Sequence, residues 1–351
     1  MLSRCSETGE GEKEWTTDMG LNEQPRMRFA ALPTPLQAAG RLSEMLGGPR
    51  ILIKRDDLTG LALGGNKTRK LEYLIADAVQ AGATHIITAG AAQSNHARQT
   101  AAAARLAGMQ PVLVLSNPDD TPDVQGNLLL DHLLGADVHI EVTSGSLNDA
   151  IDRVAADLRD GGHTPYVIPI GGSNGIGGLG YVAAMLELSH QLWEQNLRPK
   201  AMYFASGSGG TQGGIVVGAQ LYGIEAKLIG VSVGAPRDAA LARIQPVAAE
   251  IVNLLGVSQS IDTSLSVFDF DDGHVGEGYG IATEGCLEAI QLLAHTEGIF
   301  LDPVYSGKAF AAMVADIRAG QYAAEDTVVF LHTGGAPALF AKREQMAPLL
   351  T

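Results

Sequence analysis

The chain is 351 residues long, 46% hydrophobic and carries 43 glycines, enough for a substantial core in two ordinary domains or one large one. Its formal charge of −15, with no basic stripe, excludes a nucleic-acid surface. Two cysteines, Cys5 and Cys286, are too far apart in sequence for ligand spacing, which excludes a disulfide framework and fits a reducing compartment.

Residues 1–26 are polar and charged with no apolar run, so they read as a flexible tail rather than a signal peptide or a membrane span, and Met27 can itself begin a compact chain. No later apolar run is long enough to cross a bilayer, and the expectation is a soluble, cytoplasmic protein. The apolar run Ile51-Leu52-Ile53 reads as a buried strand arriving at Arg55-Asp56-Asp57. Gly64-Gly65-Asn66 reads as a tight turn. Leu71, Leu74, Ile75, Ala78 and Val79 then recur at helical spacing, so a helix begins at Lys67. Strands over 85–89, 111–115, 137–142 and 166–170 alternate with helices from Asn95 to Gly108, over 124–134 and over 147–158. The glycine cluster Gly171 to Gly180 reads as a crossing between lobes, followed by a helix over 182–193 and strands over 201–205, 227–233 and 327–332. Strand–helix alternation predicts an α/β fold with parallel sheets in two lobes, the smaller (64–175) inserted in the larger (27–63 and 176–351). In such folds ligands bind at the carboxyl ends of strands, so the loops that follow strands are where chemistry belongs.

Lys67 stands in the first turn of its helix, where the macrodipole disfavours a cation, so its amine should lose a proton readily and can attack a carbonyl. The plain alternative is an ordinary surface lysine. Ser206-Gly207-Ser208-Gly209-Gly210-Thr211 follows a strand and opens a helix, which makes an anion cradle suited to a phosphate. It is not a Walker loop, and Gln212 stands where a dinucleotide fingerprint has its third glycine. Gly175-Ile176-Gly177-Gly178-Leu179-Gly180 matches that fingerprint literally, but the next strand ends without an acidic residue, so it reads as a hinge or turn. In Gln93-Ser94-Asn95-His96, Ser94 or Asn95 can cap a helix whose free N–H groups suit a substrate carboxylate. His132, His163 and His190 show no ligand spacing, so no metal site is expected. Tyr279 and Tyr305 lie in loops, either as packing or as proton carriers, and Phe330-Leu331-His332-Thr333-Gly334-Gly335 ends a strand in a hydroxyl and two glycines. A carbonyl-reactive lysine, a phosphate cradle, a carboxylate site and candidate acid/base tyrosines together meet the requirements of pyridoxal 5'-phosphate chemistry.

At these residues the chain resembles the fold type II, tryptophan-synthase-β-like, pyridoxal-phosphate enzymes. Within them it is similar to the branch of D-cysteine desulfhydrase, 1-aminocyclopropane-1-carboxylate (ACC) deaminase and L-cysteate sulfo-lyase. The match runs from about Arg28 to the C-terminus, through Lys54-Arg55-Asp56-Asp57, Gly64-Gly65-Asn66-Lys67, Gln93 to His96, Ser206 to Thr211, Leu301 to Lys308 and His332 to Gly335. The resemblance implies that Lys67 is the Schiff-base lysine, that Asn95 contacts the cofactor's ring hydroxyl, and that residues 206–211 hold the phosphate. It also implies that Ser94, with Gln93, Asn95 and His96, binds the substrate, which Tyr279 and Tyr305 flank. ACC deaminases typically have a glutamate at the position of Ser306. Here a hydroxyl, Thr333, is the expected partner of the ring nitrogen, which suits β-elimination better than ring opening. The implied reaction is α,β-elimination of a cysteine-like amino acid, with D-cysteine giving pyruvate, ammonia and sulfide. L-Cysteate with sulfite release, ACC deamination, and a catalytically silent phosphate- or amino-acid-binding protein are the alternatives. The implied assembly is a homodimer with no nucleic-acid or membrane partner.

Overall fold

The computed structural model describes residues 20–118, 120–142 and 146–349. The chain begins with β1 (Leu36–Ala38), α1 (Gly40–Leu46) and β2 (Arg50–Lys54), then α2 (Lys67–Gln80) after a loop. A βα series follows: β3 (His85–Ala91), α3 (Asn95–Leu106), β4 (Gln110–Asn117), α4 (Gly126–Leu133), β5 (Asp137–Val142), α5 (Leu147–Asp160) and β6 (Pro165–Val167). Next come α6 (Gly175–Glu194), β7 (Ala201–Ser206), α7 (Gly210–Leu221), β8 (Lys227–Ser232), α8 (Arg237–Leu255) and β9 (Asp269–Asp271). The chain closes with α9 (Glu284–Glu297), α10 (Ser306–Arg318), β10 (Thr327–Leu331) and α11 (Pro337–Ala341).

Among the described residues the strands form two sheets, ordered β1-β2-β10-β7-β8-β9 and β5-β4-β3-β6. All neighbours run parallel except β1, which lies antiparallel on β2 at the edge of the larger sheet. Both faces of the larger sheet are dry, so its strands read as continuous apolar runs. Leu52, Met202, Phe204, Val329 and Leu331 pack into one core, while the alternating Ile51, Ile53, Ala201, Tyr203, Val328 and Phe330 pack into another. In the smaller sheet Ile87, Ala89, Val112 and Val114 meet α5, and Leu113 and Leu115 meet α3 and α4.

Several expectations are corrected. The stretch Gly175 to Gly180 is no hinge: it is the opening of α6, capped by Asn174, which accepts from the Gly177 N–H at 2.9 Å. Its glycines are needed for close packing, since a Cβ on Gly180 would lie 2.3 Å from the Arg69 carbonyl oxygen of α2. The strand expected over 166–170 stops at Val167, because Ile170 to Gly172 turns in a 3-10 helix that needs positive φ at Gly171. Val79, placed on the apolar stripe of α2, is 51% exposed. Residues 20–26 are docked rather than a loose tail: Leu21 is buried, and Arg26 pairs with Glu72 at 2.6 Å and lies over the Tyr73 ring. Residues 1–19 of the expected tail lie outside the described residues.

Candidate active site

The carboxyl ends of β3, β7, β8 and β10 open on a cavity of about 380 Å³. It is lined by Asn66, Lys67, Ser94, Asn95, His96, residues 205–209, Thr211, Gln212, Arg243, Tyr279, Tyr305 and Thr333, among others. In a chain of charge −15, none of the described residues that line it carries a carboxylate. Three helices start at its wall, α2 at Lys67, α3 at Asn95 and α7 at Gly210, and each contributes the positive end of its dipole.

Lys67 enters the cavity from a turn built by backbone crossings. Gly64 and Gly65 have φ of +69° and +125°, and a Cβ on Gly64 would lie 2.1 Å from the Asp57 carbonyl oxygen. Gly334, with φ +85°, passes so close that its Cβ would sit 2.8 Å from the Gly65 Cα. The Asn66 N–H donates to the Thr333 carbonyl at 3.0 Å, and Asn66 Nδ2 donates to Thr211 Oγ1 at 3.1 Å, which ties the lysine turn to the start of α7. Lys67 Nζ has no hydrogen-bond acceptor among the described residues, and burial lowers its pKa to about 8. Desolvation is the leading cause of the shift, and the α2 N-terminus at which Lys67 stands acts in the same direction.

At the start of α7 the N–H groups of Ser208, Gly209, Thr211 and Gln212 find no acceptor among the described residues. Gly209 has φ +97°, which turns this run of donors toward the cavity. Two residues that sequence reasoning passed over brace the cradle from behind the wall. Ser173 Oγ bonds Ser208 Oγ at 2.8 Å and accepts from the Gly210 N–H at 3.1 Å. Lys70 is buried, donates to the Gly171 carbonyl at 3.0 Å, and its Nζ lies 2.9 Å from where a Cβ on Gly210 would be. Burial and the neighbouring Lys67 charge hold its pKa well below the usual lysine range. The signal was present, since Lys70 stands one helical turn after Lys67.

On the opposite wall Ser94 caps α3 by accepting from the Ala97 N–H at 3.1 Å. The N–H groups of Asn95 and His96 have no acceptor among the described residues. Asn95 Oδ1 accepts from Arg98 and Asn127, which leaves its Nδ2 free. His96 is buried between Thr88 and Thr100, and burial keeps it neutral. Gln93, expected at the substrate, is not on the cavity wall: its amide is spent bracing Gln125 and Asn127. Gly210 also stays behind the wall, with its N–H turned to Ser173.

Tyr279 and Tyr305 meet edge-to-face, ring centroids 5.8 Å apart, and share a hydrogen bond between their hydroxyls. Desolvation of the paired hydroxyls pushes both above the ordinary tyrosine range, although Tyr279 as a residue is 49% exposed, so both keep their protons at neutral pH. Thr333 lines the cavity with Oγ1 free of any hydrogen bond among the described residues. Ser306 is turned away, sharing hydrogen bonds with Asp302, whose carboxylate also accepts from the Val304 and Tyr305 N–H groups.

A family model described as pyridoxal-phosphate dependent enzyme matches residues 27–334. The chain belongs to the pyridoxal-phosphate-dependent enzyme family. It is similar to a D-cysteine desulfhydrase of Serratia proteamaculans (strain 568), 41% identical over 93% of this chain and 98% of that one. A D-cysteine desulfhydrase of Yersinia pestis (strain Pestoides F) is 42% identical over 94% of this chain and all of its own length. Among solved structures, an ACC deaminase homologue superposes with a TM-score of 0.86 at 35% identity, covering 94% of this chain and 98% of that one. Threonine deaminase isoform 2 of Solanum lycopersicum superposes with a TM-score of 0.68 at 19% identity over 98% of this chain and 90% of its own, a likeness of fold. The cavity fits the family's cofactor. It offers unbonded N–H donors for a phosphate and a free Lys67 amine for the aldehyde, with the buried Lys70 side chain behind the donors and no acid bonded to it among the described residues.

Proposed function

We propose that this chain is a carbon–sulfur lyase that releases sulfide from D-cysteine by α,β-elimination, with pyruvate and ammonia as the other products. The bound cofactor supplies an electron sink for the charge left at Cα when its proton departs. The start of α7, with Ser173 and Lys70 behind it, would hold the phosphate, Asn95 Nδ2 would meet the ring hydroxyl and the Thr333 hydroxyl the ring nitrogen. The Ser94 hydroxyl and the Asn95 and His96 N–H groups orient the substrate carboxylate. Lys67 would hold the cofactor through its amine, and the same amine would accept the substrate's Cα proton. The Tyr279–Tyr305 hydroxyl pair, which keeps its protons at neutral pH, would present one O–H donor to the departing sulfur rather than act as a base.

One observation carries this reading: the unbonded Lys67 amine and the unbonded N–H groups of α7 line one cavity. The test is pyruvate release from D-cysteine by the Lys67→Ala variant. Loss of turnover is expected, and undiminished turnover would overturn the assignment.

A second substrate has an observation in its favour. Release of sulfite from L-cysteate requires a cation near the sulfonate, and Arg243 lines the cavity with both Nη atoms free of acceptors among the described residues. ACC opening has less support, since Ser306 is bonded to Asp302 and only a hydroxyl, that of Thr333, is offered to the ring nitrogen. A pyruvate-release screen over D-cysteine, L-cysteine, L-cysteate, β-chloro-D-alanine and ACC separates these substrates. The division into a small lobe (64–175) and a large one (27–63 and 176–351) is part of the same proposal. So is a cytoplasmic homodimer, supported by the exposed Leu133 on α4 and Phe340 on the adjoining α11. Light scattering on the holoenzyme checks the dimer.

A further inference from the structure

Arg98 is completely buried in α3, yet among the described residues none of its nitrogens meets a carboxylate. Its Nη1 donates to Asn95 Oδ1 at 3.1 Å and to Asn127 Oδ1, and its Nη2 donates to the Gly64 carbonyl at 3.0 Å. Asn127 Nδ2 in turn donates to Asn95 Oδ1 at 3.0 Å and to the Gln93 carbonyl at 2.8 Å. A guanidinium has five donors and no acceptor, so the side-chain atom that Asn95 turns toward Arg98 must be its oxygen. Asn127 is fixed the same way, since its oxygen faces Arg98 and its nitrogen therefore faces Asn95. Both lone pairs of Asn95 Oδ1 are thereby occupied, and only the Nδ2 hydrogens remain for the cavity.

We infer that Arg98 is a positioning residue that makes Asn95 an obligatory hydrogen-bond donor to the cofactor's ring oxygen and holds that donor in register with the turn that delivers Lys67. The inference rests on the proposed placement of the ring hydroxyl against Asn95. Gly64 precedes Lys67 by three residues, so one guanidinium grips both the cofactor's amide contact and the backbone of the lysine turn. The acid nearest in effect is Asp131 on α4, buried, with neither oxygen hydrogen-bonded among the described residues, as is also true of Arg98 Nε. Burial raises the Asp131 carboxyl to about 7 and lowers Arg98 to about 10, and each charge opposes the other's shift. The guanidinium is thus not neutralised by a contact ion pair, and a cation standing behind the Asn95 amide favours an ionised oxygen in front of it.

The test uses holoenzyme of the wild type, Arg98→Lys and Asn127→Ala. The readouts are the visible absorbance of the bound cofactor without substrate, kcat and KM for D-cysteine, and the unfolding temperature. Arg98→Lys keeps the charge but loses the fork. The expected result is a displaced or weakened visible band and a kcat lowered about tenfold with KM changed far less, since an orienting contact acts on the reacting geometry. Asn127→Ala, which removes one of the two donors to Asn95 Oδ1, should move the band the same way by a smaller amount. A folded Arg98→Lys enzyme with the wild-type band and kcat refutes the inference. If that variant does not fold, an unchanged band and kcat in Asn127→Ala refutes it instead. The band is read without substrate, so a wild type that binds cofactor but spares D-cysteine would sink the substrate assignment while leaving this inference decidable.

Discussion

Lowering the Lys67 pKa to about 8 leaves a sizeable neutral fraction of the amine at physiological pH in the cofactor-free protein. Only the neutral amine attacks an aldehyde. The rate at which apoprotein recombines with pyridoxal phosphate should therefore climb with pH and level off above about 8, as followed by stopped-flow absorbance. A rate still rising steeply toward pH 10 would show that the amine is not desolvated. Tyr279 and Tyr305 make the complementary case, because burial keeps their protons on. Replacing Tyr279 with Phe removes a hydrogen-bond donor without emptying the site, and should lower kcat by roughly 10²-fold. A measured kcat within twofold of wild type would reassign that ring to packing.

The site also depends on how whole elements approach one another. Helices α2 and α6 touch backbone to backbone because Gly180 carries no side chain: its hypothetical Cβ would lie 2.3 Å from the Arg69 oxygen, while one on Gly177 would lie 2.1 Å from the Gly172 oxygen of the preceding 3-10 turn. Gly180→Ala should push α6 off α2 and cost about 1–3 kcal/mol. A lowered unfolding temperature together with weaker cofactor retention is the expected outcome, because α2 begins with Lys67. The sequence pattern of this stretch resembles a dinucleotide loop only because close helix packing and close phosphate approach both demand glycine. The α7 start is different. There the small residues leave N–H groups unbonded at a cavity wall, and that is what separates a cradle from a packing surface.

Across the whole molecule, one buried polar network joins the N-terminal segment, β2, α2 and α6. Arg69 forks onto Asp56 at 2.8 Å and reaches Glu187 at 2.9 Å, Tyr181 donates to Asp56 at 2.8 Å, and Lys54 also pairs with Glu187. Burial raises the Asp56 carboxyl, but the Arg69 guanidinium, Lys54 and the Tyr181 hydroxyl outweigh it, and the net shift is downward from 3.8. A depressed carboxyl contributes stability that is present above its unfolded value and lost as pH falls through its folded one. Wild-type stability should therefore drop on acidification below about 4, and Asp56→Asn should flatten that slope while costing about 3–5 kcal/mol at neutral pH. Denaturant titrations at several pH values check both. An unchanged acid slope would show that other carboxylates govern it.

The sequence by itself determined the α/β class, the strand and helix succession from β2 to β8, the lysine turn and the small-residue turn that opens α7, because each rests on local signals: apolar period, glycine and asparagine turns, small residues after a strand. It misplaced what depends on neighbours far along the chain. The Gly175 to Gly180 stretch became a helix opening because α2 packs on it, and residues 20–26 became ordered because Glu72 and Tyr73 receive Arg26. Gln93 left the site because Gln125 and Asn127 claim its amide. Only the tertiary structure brought Lys70, Ser173, Arg98 and Arg243 into or behind the cavity, and only it showed that Lys67 is buried, which adds desolvation to the dipole in lowering its pKa. Hydrogen-bond partners and desolvation are properties of space rather than of sequence neighbourhood, and no period or motif encodes them.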